Sequence, residues 1–370
     1  MTQANMAPPA PAPGPSGASG PSTPPAATKA APARASLLSH SLAKPILALA
    51  ALLVLDIIFI PGFLSLEIKD GHLYGPLIDI LNRAAPLMLA ALGMTLVIAT
   101  RGIDISVGAV VALSGTVAAM LIGGTMVINN GQPEYVANTP MPLALAAALG
   151  IAILCGAWNG VLVAGLKLQP IVATLILMVA GRGLAQLFTD GQIVTVYYEP
   201  FFFLGSGYLL GLPFSLWVVA AVLLVVGLLL KKTALGLFIQ SVGINPVAAR
   251  LAGIRTATLI FFTYVFCSTC AGMAGLMISS NIKSADANNA GLLLELDAIL
   301  AVTLGGTSLA GGKFSLVGSM IGALIIQTLT WTIYSLGVPP EVNMVVKAIV
   351  VFIVCLSQST GFQKLWKGRK

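Results

Sequence analysis

From Lys44 onward the chain is a succession of apolar runs, each long enough to cross the roughly 30 Å hydrocarbon core of a bilayer as a helix of about 20 residues. The runs fall at about 45–65, 77–100, 105–124, 142–165, 170–189, 214–230, 257–280, 295–312, 315–336 and 342–358. That pattern predicts an all-α polytopic membrane protein with about ten transmembrane helices. Only 8% of the 370 residues are charged, against roughly 25% in a soluble domain. So few charges cannot clothe the surface of a chain this size in water.

Residues 1–36 are mostly Pro, Ala, Gly and Ser, a composition that buries too little surface to offset ordering entropy, so they are expected to be a disordered cytoplasmic tail. Residues 37–370 form the transmembrane domain. The first apolar run lies too far from the N-terminus, and is too long, for a secretory signal. With the tail inside, the cytoplasmic connections collect Lys44, Arg101, Lys167, Lys231, Lys232, Arg250, Arg255, Lys313 and the basic C-terminal end, against Lys69 and Lys283 outside. Both termini are therefore expected in the cytoplasm. The net charge of +7 is accounted for by this orientation bias and calls for membrane lipid, not nucleic acid, as the partner.

Two runs are interrupted by glycine and hydroxyl residues, Met94–Gly108 and Val302–Gly312. Unwound backbone at membrane depth is tolerated only where protein or water satisfies it, so Thr95, Thr100, Asp104, Ser106, Thr303, Gly305, Thr307 and Ser308 are candidates for lining a translocation path. The alternative is that the small residues let helices pack closely. Both breaks run outward to inward in this topology, whereas an inverted repeat would reverse one of them.

The longest inside connection, 231–256, reads as short amphipathic helices, with Asn245-Pro246 opening the second and Gly253 closing it. Such helices suit docking into a groove on a partner, or resting on headgroups. The run Tyr197, Tyr198, Phe201, Phe202 and Phe203 reads as interfacial anchoring. Asp56, Arg182, Glu295, Asp297 and Lys347 lie in or beside spans and should each face a neighbour or a wet surface. Cys155, Cys267, Cys270 and Cys355 sit in apolar stretches as buried filler. No nucleophile-and-base constellation or metal motif can be drawn, so no catalytic residue and no metal site is assigned.

The residues Gly93–Ile98 with Gly102–Gly108, Val242–Asn245 with Ala248, Ala249, Gly253 and Ile254, and Leu304–Gly312 together carry a resemblance that extends from Ile80 through Gln358. In them the chain resembles the permease subunits of bacterial ABC importers for monosaccharides, the group with the ribose, xylose and galactofuranose systems. Pro76–Pro86, Ala173–Gly183 and Ala285–Gly291 look like the galactofuranose branch, which favours a furanose sugar. Arg101 departs from the family, which usually has glycine there.

The resemblance implies a permease of the bacterial inner membrane that translocates a monosaccharide and is not itself an enzyme. Its implied partners are a second permease subunit (identical or not), a cytoplasmic ABC ATPase and a periplasmic sugar-binding protein. ATP and Mg would sit on the ATPase and no cofactor on this chain; Gly311-Gly312-Lys313-Phe314 is not a phosphate-binding loop. Ile244, Asn245, Pro246, Val247, Ala248, Ala249, Arg250 and Gly253 fall where the family's coupling helix enters the ATPase. An ion-coupled secondary transporter is the competing reading from composition.

Overall fold

Proline at the first or second helical position opens several helices, where its missing N–H costs nothing and its fixed φ suits the turn. In the computed structural model, which describes residues 42–69, 71–129, 132–339, 342, 344–346, 348–349 and 352–353, this device starts α2 (Pro76–Ala99), α4 (Met141–Gly160), α5 (Pro170–Phe188), α6 (Glu199–Ser206) and α9 (Pro246–Leu251). The other helices are α1 (Ala43–Phe59), α3 (Val107–Ile122), α7 (Phe214–Lys232), α8 (Leu235–Ile244), α10 (Thr256–Ile282), α11 (Leu294–Leu304) and α12 (Leu316–Ser335). The tail at 1–36, Lys347, Cys355 and most of the apolar run at 342–358 lie outside the described residues.

Six helices among the described residues are long and apolar enough to cross a membrane: α2, α4 with the π-helical turn Val161–Gly165 that prolongs it, α5, α7, α10 and α12. The expected crossing at 295–312 is helical over only part of its length. Its helix, α11, has 11 residues and so spans about 16 Å, half of what a crossing needs. Beyond Leu304 the chain is irregular up to α12, because Gly305, Gly306, Gly311 and Gly312 break the ladder.

The connections also depart from an all-α chain. Two-stranded antiparallel ribbons pair β1 (Glu67–Lys69) with β2 (His72–Tyr74), β3 (Thr125–Asn129) with β4 (Gln132–Val136), and β6 (Tyr208–Leu209) with β7 (Leu212–Pro213). A fourth ribbon joins β5 (Val194–Thr195) to β8 (Ser284–Ala285) across the chain. These short hairpins carry no apolar periodicity, so hydropathy does not reveal them.

The core is built on α10 and α2. The apolar window of α2 is 78% buried and that of α7 only 17%, which makes α2 central and α7 peripheral. Glycines let the backbones meet: a Cβ on Gly93 would strike Cys267 Cα of α10, one on Gly156 would strike Val265 Cα, and one on Gly272 would strike Ala152 Cβ. Such close approach is the packing currency of helices in lipid, where dispersion and not hydrophobicity drives association. Cys155, Cys267 and Cys270 are buried and free, as expected of filler. Phe201 is buried, whereas Tyr197 is half exposed and stacks on Tyr135.

Two of the charges near spans, Asp56 and Arg182, have hydrogen-bond partners in the protein. Thr332 Oγ1 donates to the buried Asp56 Oδ1 at 2.6 Å. Arg182 Nη1 donates to the carbonyls of Ala287 at 3.1 Å and Ala290 at 2.6 Å. Those carbonyls belong to a turn held by Asp286, whose Oδ1 accepts from the Asn288 amide at 2.9 Å. Partial burial pushes the Asp286 carboxyl upward, but the Asn289 and Asn288 hydrogen bonds and the Arg182 charge outweigh it and leave it below the ordinary carboxylate range. Glu295 is buried at the start of α11 beside Gly108.

Candidate functional site

The connection at 231–256 folds as two helices meeting in an elbow. Lys231 and Lys232 occupy the last turn of α7, where cations complement the helix dipole. α8 ends at Ile244 because Asn245 is extended (φ −156°, ψ 100°). Asn245 is at once the N-cap of α9: its Oδ1 accepts from the Val247 and Ala248 amides, both at 3.0 Å, and Pro246 follows. Gly253, at φ +85°, closes α9; its amide reaches Arg250 O at 3.0 Å and the Ile254 amide reaches Ala249 O at 3.0 Å, a Schellman-type cap.

Of the residues expected to couple to a partner, Ala249 faces inward and is buried, and Pro246 is half-buried. Ile244, Asn245, Val247, Ala248, Arg250 and Gly253 are exposed. Val247 is 65% and Leu251 85% exposed, so this short helix leaves apolar side chains uncovered. Leu251 belongs to this face and lacked any signal in the sequence beyond its place in the helix.

Both breaks come to the foot of this elbow. The Gly312 amide donates to Ala99 O at 3.0 Å, joining the glycine-rich break to the end of α2. Gly243 lies against the same two groups so closely that a Cβ there would collide with Ala99 O and Gly312 N. Arg101 completes the junction: its Nε donates to Gly243 O and its Nη2 to Ile244 O, each at 2.6 Å. These are terminal carbonyls of α8, which no intrahelical donor can reach, and a cation there also suits the dipole. Arg101 holds φ +66°, the left-handed region that normally favours glycine.

The candidate path residues are mostly spent inside the protein. Thr95 is buried and its Oγ1 lies 2.7 Å from Ser319 Oγ, binding α2 to α12. Thr100 Oγ1 donates to Val97 O at 2.9 Å, and Thr303 Oγ1 to Leu300 O at 2.9 Å. Asp104 Oδ1 accepts from Ser106 Oγ at 2.6 Å and from the Ser106 amide at 3.0 Å, which fixes the turn just before α3. Thr307 Oγ1 accepts from the Ser315 amide at 3.2 Å and Ser308 Oγ from the Ala310 amide at 3.2 Å. Gly305 packs backbone to backbone on Gly318 of α12.

Asn159 escaped the sequence reading. It is fully buried in α4, donates to Ser106 Oγ at 2.9 Å, and lies 3.4 Å from Asp104 Oδ1. A lone Asn in an apolar run was the available signal, since a buried amide must find polar partners.

Residues 77–355 match a family described as the permease component of the branched-chain amino acid transport system. The galactofuranose transporter permease protein YtfT of Escherichia coli K12 is 52% identical over 324 residues, covering 87% of this chain and 91% of that one. The fructose import permease protein FruF of Bifidobacterium longum is 40% identical, over 89% of this chain and 90% of its own. The ribose import permease protein RbsC of E. coli K12 is 37% identical, with 85% and 92% covered. No solved structure matches the chain.

Proposed function

The chain belongs to the family of ABC-transporter permease components whose profile spans its residues 77–355, and from that premise we propose that its cargo is galactofuranose or a closely related furanose. The protein is the transmembrane permease subunit of an ABC importer for a monosaccharide, not an ion-coupled carrier. The sugar proposal is supported by the 52% identity to a galactofuranose permease over nearly the whole chain.

In this reading the chain crosses the bacterial inner membrane about ten times with both termini inside. A second permease subunit completes the channel, a periplasmic binding protein delivers the sugar, and a cytoplasmic ATPase holds ATP and Mg. The ATPase docks on Ile244, Asn245, Pro246, Val247, Ala248, Ala249, Arg250 and Gly253, and the breaks around Asp104 and Gly305 move when it closes. The observation that supports this coupling is the junction of Arg101, Gly243 and Gly312, which joins the exposed elbow directly to both breaks. A rigid-body push on α9 therefore reaches both breaks through hydrogen-bonded backbone. The buried Thr95, Thr100, Asp104, Ser106 and Thr307 and the half-buried Thr303 would meet the sugar only in a state where their contacts have opened, whereas Ser308 is already exposed.

The test is uptake by proteoliposomes that contain this chain, its ATPase and its binding protein. Labelled D-galactose supplied as an equilibrium mixture should compete with added galactofuranosides and not with ribopyranosides. Competition in the reverse order would reject the furanose assignment, and uptake without the ATPase would reject the importer mechanism.

A further inference from the structure

At the end of the bundle opposite the elbow, about 25 Å away along α2, α2 and α12 bound a polar cleft. Arg83 Nε donates to both oxygens of Asp79 at 2.9 Å, a pair one helical turn apart. Trp331 Nε1 of α12 donates to Asp79 Oδ2 at 3.1 Å, and its ring lies 5.6 Å from that of Phe63. The cleft has a volume of about 330 Å³, lined by this trio with Gln327 and Tyr334. Past Arg83 and Gln327 it continues into a cavity of about 210 Å³ beside Asn82 and Asn281.

Three features say what this cleft takes. The side chains of Arg83 and Asp79 are 59% and 43% exposed, and an ion pair turned toward hydrocarbon is costly, so this face meets water or a polar occupant. The two charges cancel, which favours a neutral ligand over an anion. Finally, both terminal NH2 groups of Arg83 and the whole Gln327 amide have no hydrogen-bond partner among the described residues. They offer fixed donors and one acceptor beside the Trp331 and Tyr334 rings, a set suited to sugar hydroxyls and the apolar face of a sugar ring.

We infer that this cleft is an outer subsite where the permease receives the monosaccharide before passage, held by Arg83 and Gln327. The inference rests on the monosaccharide-importer reading and adds which side chains of this chain hold the sugar. Asn82 sets the depth of the site: its Nδ2 donates to Gly205 O at 3.2 Å, as does Asn281 Nδ2 at 3.0 Å, so both amides are fixed on the α6 backbone.

The experiment uses the complete importer in proteoliposomes with labelled D-galactose, D-ribose and D-fructose in turn. For whichever sugar the wild type takes up, Gln327→Leu should lower the sugar moved per ATP hydrolysed about fivefold, the weight of one hydrogen bond. The neutral double variant Asp79→Asn with Arg83→Gln should lower it as well. Wild-type uptake per ATP in Gln327→Leu overturns the subsite, whether or not the double variant assembles. A defect seen in phosphatidylglycerol vesicles and absent from phosphatidylethanolamine vesicles also overturns it, because the cleft would then hold an anionic lipid headgroup. A wild-type importer that takes up none of the three sugars overturns the parent reading instead.

Discussion

Arg101 Nε donates to the carbonyl of Gly243 at 2.6 Å across a sequence distance of 142 residues, while its Nη2 takes the carbonyl of Ile244. One side chain thereby ties the break after α2 to the helix that leads into the exposed elbow. Its backbone sits at φ +66°, a conformation that costs a non-glycine residue about 1–2 kcal/mol.

Arg101→Gly separates the two consequences of this residue. Glycine relieves the backbone strain, and the lost hydrogen bonds to a charged donor are worth about 1.5–3 kcal/mol each. The variant should still assemble, yet the elbow moves independently of the break, so sugar transported per ATP falls several-fold. Arg101→Lys, which has no planar fork, should recover part of the loss. Parallel uptake and ATPase assays check this; unaltered coupling in Arg101→Gly would leave the arginine without a mechanical role.

Gly243→Ala should be more damaging than its single methyl suggests. The new Cβ would enter the space of Ala99 O and Gly312 N, forcing backbone apart at about 1–3 kcal/mol. Thermal melting of the purified protein should show the loss, and uptake should fall with it. The same methyl at Gly150, which has open space around it, is the control and should do neither.

How much of this was legible beforehand depends on how local the signal is. Helices α2, α5, α10 and α12 are legible within a few residues because hydropathy is a property of a single window. α11 is legible only in part, because 295–312 reads as one apolar run in which the clustered glycines betray a break but not where the helix ends. The α9 elbow is legible from Asn245, Pro246 and Gly253, whose capping roles are set by neighbours in sequence. The meeting of Ala99, Gly243 and Gly312 is not, since each is brought there by a different pair of helices. Arg101 stood out only as a departure from glycine. The hydroxyls of Thr95 and Ser106 looked available for a path, and the fold instead engages them with Ser319 and Asp104.

Asp104→Asn tests the first break without a change of shape. The amide can accept from the Ser106 amide and hydroxyl as the carboxylate does, but it brings its own donors toward Asn159 Nδ2. Uptake should fall while the assembled complex keeps its yield, as measured by co-purification with the ATPase. Equal uptake would remove Asp104 from the path. Gly305→Leu is a poorer probe, because its side chain would strike the Gly318 backbone and unpack α11 from α12. It should reduce yield first.

Asn245→Ala removes the acceptor for two α9 amides and should destabilise that helix by about 1 kcal/mol. Since α9 is what the ATPase is proposed to grip, binding-protein-stimulated ATPase should fall, and Ala248→Arg should abolish it by placing a bulky charge on the docking face. Stimulation that survives Ala248→Arg would show that the ATPase docks elsewhere.

The most direct measurement is labelling of a single cysteine at position 247, with the native cysteines replaced, by a membrane-impermeant maleimide. Labelling is predicted in inside-out vesicles, with protection when the ATPase is assembled on the permease. Labelling in right-side-out vesicles, or labelling that the ATPase does not block, would contradict the coupling of this elbow to a cytoplasmic motor.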